Sequence, residues 1–135
     1  MTALRPSGAA LAAALVLSAC MEGGTGGPGL TGEVWALRSI DGVAFDAPAT
    51  LILQTDGSAS GEGPCNRFSG PYGRADGGLQ IGPLAATRRA CADMAAEDRF
   101  FGALEGSFRL RLNDPPGTLT LRRADGRTLV FAVAG

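Results

Sequence analysis

The chain contains no histidine and no lysine. Without histidine, the commonest general base and the commonest transition-metal ligand are both missing. All twelve basic residues are arginine, set against thirteen acidic ones, for a net charge of −1. Such a chain has no basic field, so nucleic acid is not an expected partner. Cysteine is scarce, three residues in 135, and none stands in a Cys-x-x-Cys pair. A zinc centre needs about four ligands, more than two spare thiols without histidine can supply. No metal and no cofactor are therefore expected. Nowhere is there an apolar run of the roughly twenty residues that a membrane-spanning helix needs. What is present is an apolar fraction of 45% with 19% charged residues, which indicates a globular chain, and a length that points to a single domain.

The first nineteen residues look like an address. Arg5 is followed by an apolar stretch from Gly8 to Leu17 and then by Leu17-Ser18-Ala19-Cys20. A basic start, about ten apolar residues and a small-residue cleavage site describe a secretory signal. Its ending resembles the bacterial lipobox, in which cleavage before the cysteine leaves it diacylated. Residues 1–19 are thus expected to be a signal peptide and Cys20 the lipidation site. Buried acyl chains contribute about 0.8 kcal/mol per CH2, so the chain would associate with the membrane through Cys20. Met21, in place of Asp, points by analogy to the outer membrane, facing the periplasm. From residue 20 to residue 32 the glycine-dominated run reads as a flexible tether, and residues 33–135 as the folded domain.

Short strands punctuated by Gly, Asp and Pro fill that domain. Strands are expected over 33–40, 49–54, 58–63, 67–74 (interrupted at Pro71), 79–82, 108–112, 118–122 and 128–133. Phe108-Arg-Leu-Arg-Leu112 and Thr118-Leu-Thr-Leu-Arg122 alternate apolar with polar, one face packed and one wet. One helix is expected from Asp93, as N-cap, to near Gly106. Met94, Phe101 and Leu104 would form its inner side, with Glu97, Asp98 and Arg99 largely elsewhere. The expected fold is mainly β (α+β): an antiparallel sheet of about seven or eight strands curled as a half-barrel around one α-helix.

These residues also resemble a known family. Trp35-x-Leu37-x-x-Ile40-x-Gly42, then Gly63-Pro64-Cys65-Asn66-Arg67-Phe68-x-Gly70-x-Tyr72, then Thr87-Arg88-x-x-Cys91, occur in order, followed by Leu119-x-Leu121 and Leu129-x-Phe131. The pattern is similar to the META domain of the HslJ-like heat-shock family (DUF306). Pro64 departs from it where the family has Gly, which removes one backbone donor beside Cys65. The resemblance implies a β-rich envelope domain linked to heat-shock and antibiotic tolerance, without an established catalytic activity. It also implies a fold similar to that of a secretion pilot lipoprotein that binds an acyl chain, a link that carries fold more than function.

Cys65 and Cys91 are the candidate disulfide of an oxidising compartment, with two buried thiols or a redox-active pair as alternatives. Asn66, Arg67, Phe68, Gly70, Tyr72, Thr87 and Arg88 form the candidate motif or binding surface. Asn66 can equally satisfy local backbone groups. Thr87, Arg88 and Arg89 can bind an anion through charge-assisted hydrogen bonds, or form a loop that caps the sheet with Arg88 paired to an acid. Asp41, Asp56, Asp76 and Asp125 each precede Gly and read as turn formers. No serine stands in a nucleophile-elbow context, so no catalytic residue is expected. The expected protein is a non-enzymatic, lipid-anchored envelope protein supporting outer-membrane stress or drug tolerance through binding or assembly contacts with an envelope partner. Alternatives are a carrier or sensor of an acyl chain held between helix and sheet, and a thiol redox enzyme.

Overall fold

The computed structural model describes residues 28–134. The expected signal peptide, Cys20 and most of the expected tether therefore lie outside the described residues. Ten strands and one helix follow in the order β1 (Trp35–Ile40), β2 (Val43–Ala44), β3 (Thr50–Leu53), β4 (Ser58–Glu62), β5 (Arg67–Ala75), β6 (Gly78–Ile81), β7 (Ala85–Ala86), α1 (Met94–Leu104), β8 (Gly106–Leu112), β9 (Thr118–Arg123) and β10 (Thr128–Val133). All the pairings are antiparallel.

The eight longer strands run β1-β3-β4-β5-β6-β8-β9-β10, and β10 returns to β1. The mainly β fold with a single helix is thus present, but the curl goes further than a half-barrel: the sheet closes. Trp35 to Leu37 pair in register with Val133 to Phe131, and an extra residue at Arg38 then shifts the register. A bulge of this kind bends a strand and increases its twist, which helps bring the two ends of the sheet together. Pro71 does not break β5 as the pattern suggests. It sits where one flank of β5 changes partner, from β7 at residues 68–69 to β6 at residues 72–75, so its missing donor costs little there.

Alternation places Trp35, Leu37, Leu51, Leu53, Leu79, Ile81, Leu119, Leu121, Leu129 and Phe131 inside the barrel. Helix α1 adds Ala96, Phe100, Ala103 and Leu104 to the same core. Asp93 caps its first turn by accepting from the Ala96 amide at 3.1 Å. The other end has no basic residue of its own. Arg123 of β9 supplies the charge, donating to the carbonyls of Gly102 (3.0 Å) and Glu105 (3.1 Å). A cation there complements the helix dipole. Arg123→Gln is expected to lower stability by about 1 kcal/mol, read from the urea midpoint.

The folded unit begins earlier than the glycine pattern suggests. Leu30 is buried, its carbonyl accepts the Trp35 indole N–H at 3.0 Å, and the Gly32 amide donates to Leu53. Asn113, between β8 and β9, donates to the Pro28 carbonyl at 2.8 Å. The chain therefore joins the barrel at the end formed by the β3–β4, β5–β6 and β8–β9 turns. Because the strands are antiparallel, the β4–β5 loop and α1 lie at the opposite end.

Candidate functional site

At that opposite end, four residues, Gly63 to Asn66, connect β4 to β5, and the Gly63 amide closes the loop on the Asn66 carbonyl at 2.8 Å. The turn aims two successive amides at one carboxylate oxygen: Cys65 N and Asn66 N donate to Glu97 Oε1 at 2.9 and 2.8 Å. Asn66 Nδ2 donates to Glu97 Oε2. Its second hydrogen goes to the Arg89 carbonyl at 3.0 Å. Asn66 Oδ1 accepts from the Arg89 amide at 2.7 Å and from Thr87 Oγ1 at 2.9 Å. One amide side chain thus uses both donors and both acceptor positions. No donor but Asn or Gln could bridge a carboxylate and a backbone amide in this way, which accounts for the Cys-Asn motif.

Glu97 is 2% exposed, contrary to the expectation that it lies on the wet side of the helix. The physical reason is helical spacing: Phe100 and Leu104, three and seven residues on, occupy the same face and are fully buried. Space for the carboxylate comes from Gly63, where a Cβ would sit 2.8 Å from Glu97 Oε1. Burial alone raises the Glu97 pKa. The hydrogen bonds from Asn66 and Cys65, with the charge of Arg89, outweigh burial and hold it below its ordinary value of 4.5. Pro64 removes no bond from this set, because the carboxylate uses the amides of Cys65 and Asn66.

The 87–91 segment is fastened to the loop in a second way. Cys65 and Cys91 form a disulfide with Cα atoms 6.0 Å apart, and Arg89 Nη2 donates to the Cys65 carbonyl at 3.0 Å. Thr87 bridges further, its Oγ1 accepting from the Arg67 amide at 3.1 Å. Beneath lie Phe45, Phe68, Phe100 and Phe101, with neighbouring ring centroids 5.5–6.2 Å apart. Two solvent-open grooves, of 680 and 700 Å³, flank Arg89, one toward β3 and β4 and the other toward α1.

The expected motif residues are only partly brought together. Asn66 and Thr87 meet Cys65 and Cys91 in this network, and the Arg67 backbone joins it. Phe68 is core. Gly70 serves close packing, since a Cβ there would lie 2.4 Å from the Pro83 carbonyl. Tyr72 lies toward the other end of the barrel, donating its hydroxyl to the Gln54 carbonyl at 2.6 Å. Arg88 is exposed and makes no ion pair among the described residues, which corrects the expected pairing with an acid. Arg89, next in sequence, does the holding. Among the aspartates, Asp41 and Asp76 adopt positive φ, Asp56 accepts from Ser58, and Asp125 from the Arg127 amide. Sequence reasoning missed Glu97, and it read Arg89 only as an anion-binding candidate beside Thr87 and Arg88, not as the residue that holds the Cys65 loop. A carboxylate in register with Phe100 and Leu104 was the available signal for Glu97; no local pattern marked the holding role of Arg89.

Fold and site together define a closed antiparallel barrel with one helix packed into its core, whose end loop is fixed to that helix by an Asn–Glu network and to the 87–91 segment before it by a disulfide. The META-domain model matches residues 28–135, and the chain belongs to the META-domain family. The solved structures that the chain is similar to include two determined by NMR. One, an NMR structure of a protein from Burkholderia xenovorans, is 30% identical, with a TM-score of 0.61 over 78% of this chain and 83% of its own. Another NMR structure is 27% identical, with a TM-score of 0.60 over 77% and 91%. No curated protein matches the chain significantly.

Proposed function

We propose that this META-domain protein is anchored through Cys20 in the cell envelope, on the outer membrane facing the periplasm. There it supports stress or drug tolerance through binding or assembly contacts rather than by catalysing a reaction. The observation that carries this reading is how the reactive groups of the site are spent. Glu97 accepts three hydrogen bonds from protein donors, and both cysteines left in the folded domain are in a bond. Such a constellation shapes a surface loop instead of moving protons or electrons. The acyl-chain reading has less support, because Phe100 and Leu104, which would line a channel between helix and sheet, are fully buried among other core side chains. A thiol redox role lacks a Cys-x-x-Cys pair and a neighbouring histidine.

The test is genetic and chemical together. Deleting the gene in its native host is expected to increase killing by heat and by large hydrophilic antibiotics. Wild-type chain restores survival and Cys20→Ala does not, and mass spectrometry of the mature N-terminal peptide finds a diacylglyceryl group on Cys20. Unchanged survival of the deletion strain, with a lipid-free Cys20, sinks the proposal.

A further inference from the structure

Arg109 of β8 and Arg122 of β9 stand directly opposite each other on the outer face of the barrel. Both are exposed, and neither side chain makes an ion pair or a hydrogen bond among the described residues. Like charges directly opposed across a ladder cost sheet stability. Nearby arginines are used differently: Arg123 is bonded to Asp125 and Arg127 to Asp41. The cost at Arg109 and Arg122 thus has no return within the fold. Their surroundings are open. The same cross-strand row continues to Gly78, which has no side chain, on β6, and to Thr128 on β10. Arg111, two residues along β8 and on the same face, is paired with Thr120 across the ladder and lies 3.6 Å from the exposed Asp114. Arg109, Arg111, Thr120, Arg122 and Thr128 line an open groove of 600 Å³, with Asp76 and Asp114 also on its wall.

We propose that Arg109 and Arg122 form a binding site for a single phosphate group, with the Thr120 hydroxyl as an additional donor. One guanidinium fork already saturates the two oxygens of a carboxylate. Two forks at cross-strand distance, about 5 Å between Cβ atoms, suit a tetrahedral anion with oxygens to share between them. Occupancy relieves the repulsion between the two arginines, so the ligand recovers what the bare pair loses. The third arginine of the groove, Arg111, is offset by Asp114, and Asp76 lies on the same wall, so the excess positive charge is small and local. A lone phosphate is therefore favoured over a polyanion. The phosphate can belong to a soluble ester or to a phospholipid headgroup, and the site holds whether or not Cys20 is lipidated.

The experiment uses the full chain in nonionic-detergent micelles and follows the arginine Nε–Hε signals by NMR. Inorganic phosphate, acetate and a short-chain phosphatidylglycerol are titrated separately at constant ionic strength. Phosphate is expected to shift Arg109 and Arg122 saturably while Arg38 and Arg67 stay in place. Arg109→Gln removes repulsion, so it leaves the fold intact, and it is expected to weaken the Arg122 response at least about fivefold through loss of one charged donor. A matching shift with phosphatidylglycerol assigns the site to a headgroup, and a response to phosphate alone assigns it to a soluble ester. An equal response to acetate, a uniform shift of all arginines, or an Arg122 response that survives Arg109→Gln overturns the proposal.

Discussion

Glu97→Ala is expected to destabilise the domain by about 3–5 kcal/mol, read from urea unfolding followed by Trp35 fluorescence. The substitution strands Cys65 N, Asn66 N and Asn66 Nδ2, three donors that all point at the missing carboxylate. Each unsatisfied buried donor costs about 1–3 kcal/mol. A domain of this size has a total stability of roughly 5–15 kcal/mol, so the variant sits near the limit of folding. Glu97→Gln keeps the shape and supplies a second variant. Its NH2 would face Asn66 Nδ2, donor against donor. Rotating Asn66 does not help, since its Oδ1 is already committed to Thr87 and Arg89. A loss below 1 kcal/mol in both variants would show that the network is decorative.

Acid should reproduce part of this loss. The folded-state pKa of Glu97 lies below its ordinary value of 4.5. The stabilisation is therefore complete above about pH 4.5 and is lost as the pH falls through the folded-state pKa. Asp41, Asp56 and Asp125 are lowered too and act in the same direction. The difference between wild type and Glu97→Gln isolates the Glu97 part, and the gap between their urea midpoints should narrow as the pH falls below 4.5.

Opening the Cys65–Cys91 bond, by reductant or by replacing both cysteines with Ala, is expected to cost about 3.5 kcal/mol, the value loop entropy gives for a loop of this size. The cysteines are 26 residues apart. Asn66 and the disulfide hold the same 87–91 segment, so the two losses should not add. With the disulfide already removed, Glu97→Ala is expected to cost measurably less than it does in the bonded protein, and a double-mutant cycle gives the coupling. Simple additivity would mean that the disulfide and the Glu97 network act on separate units.

Strand positions were legible because inward residues alternate. Phe108, Leu119, Leu121, Leu129 and Phe131 announce their strands by period alone. Closure was not, because it depends on β1 meeting β10 across the length of the chain, and on the bulge at Arg38, which no local pattern marks. The helix was placed well at both ends, yet the role of Glu97 was missed. Treating a charged residue as solvent-facing is sound on average, and it fails where buried donors are waiting. Those donors are backbone amides, invisible in a residue alphabet. The holding role of Arg89, read from the sequence as anion binding, was hidden for a related reason: part of its contribution comes from its own amide and carbonyl. Leu30 went unseen because a single apolar residue in a glycine run gives no periodicity.

Closure also bears on crowding. An open sheet displays a row of unpaired amides and carbonyls along each edge, and such edges template pairing with neighbouring chains. Here the eight long strands form a complete circuit, and the strands outside it among the described residues, β2 and β7, are two residues each. If Cys20 confines the protein to a membrane plane, copies meet far more often than they would in solution. A ring without edges lets them collide at high surface density without zipping into a shared sheet.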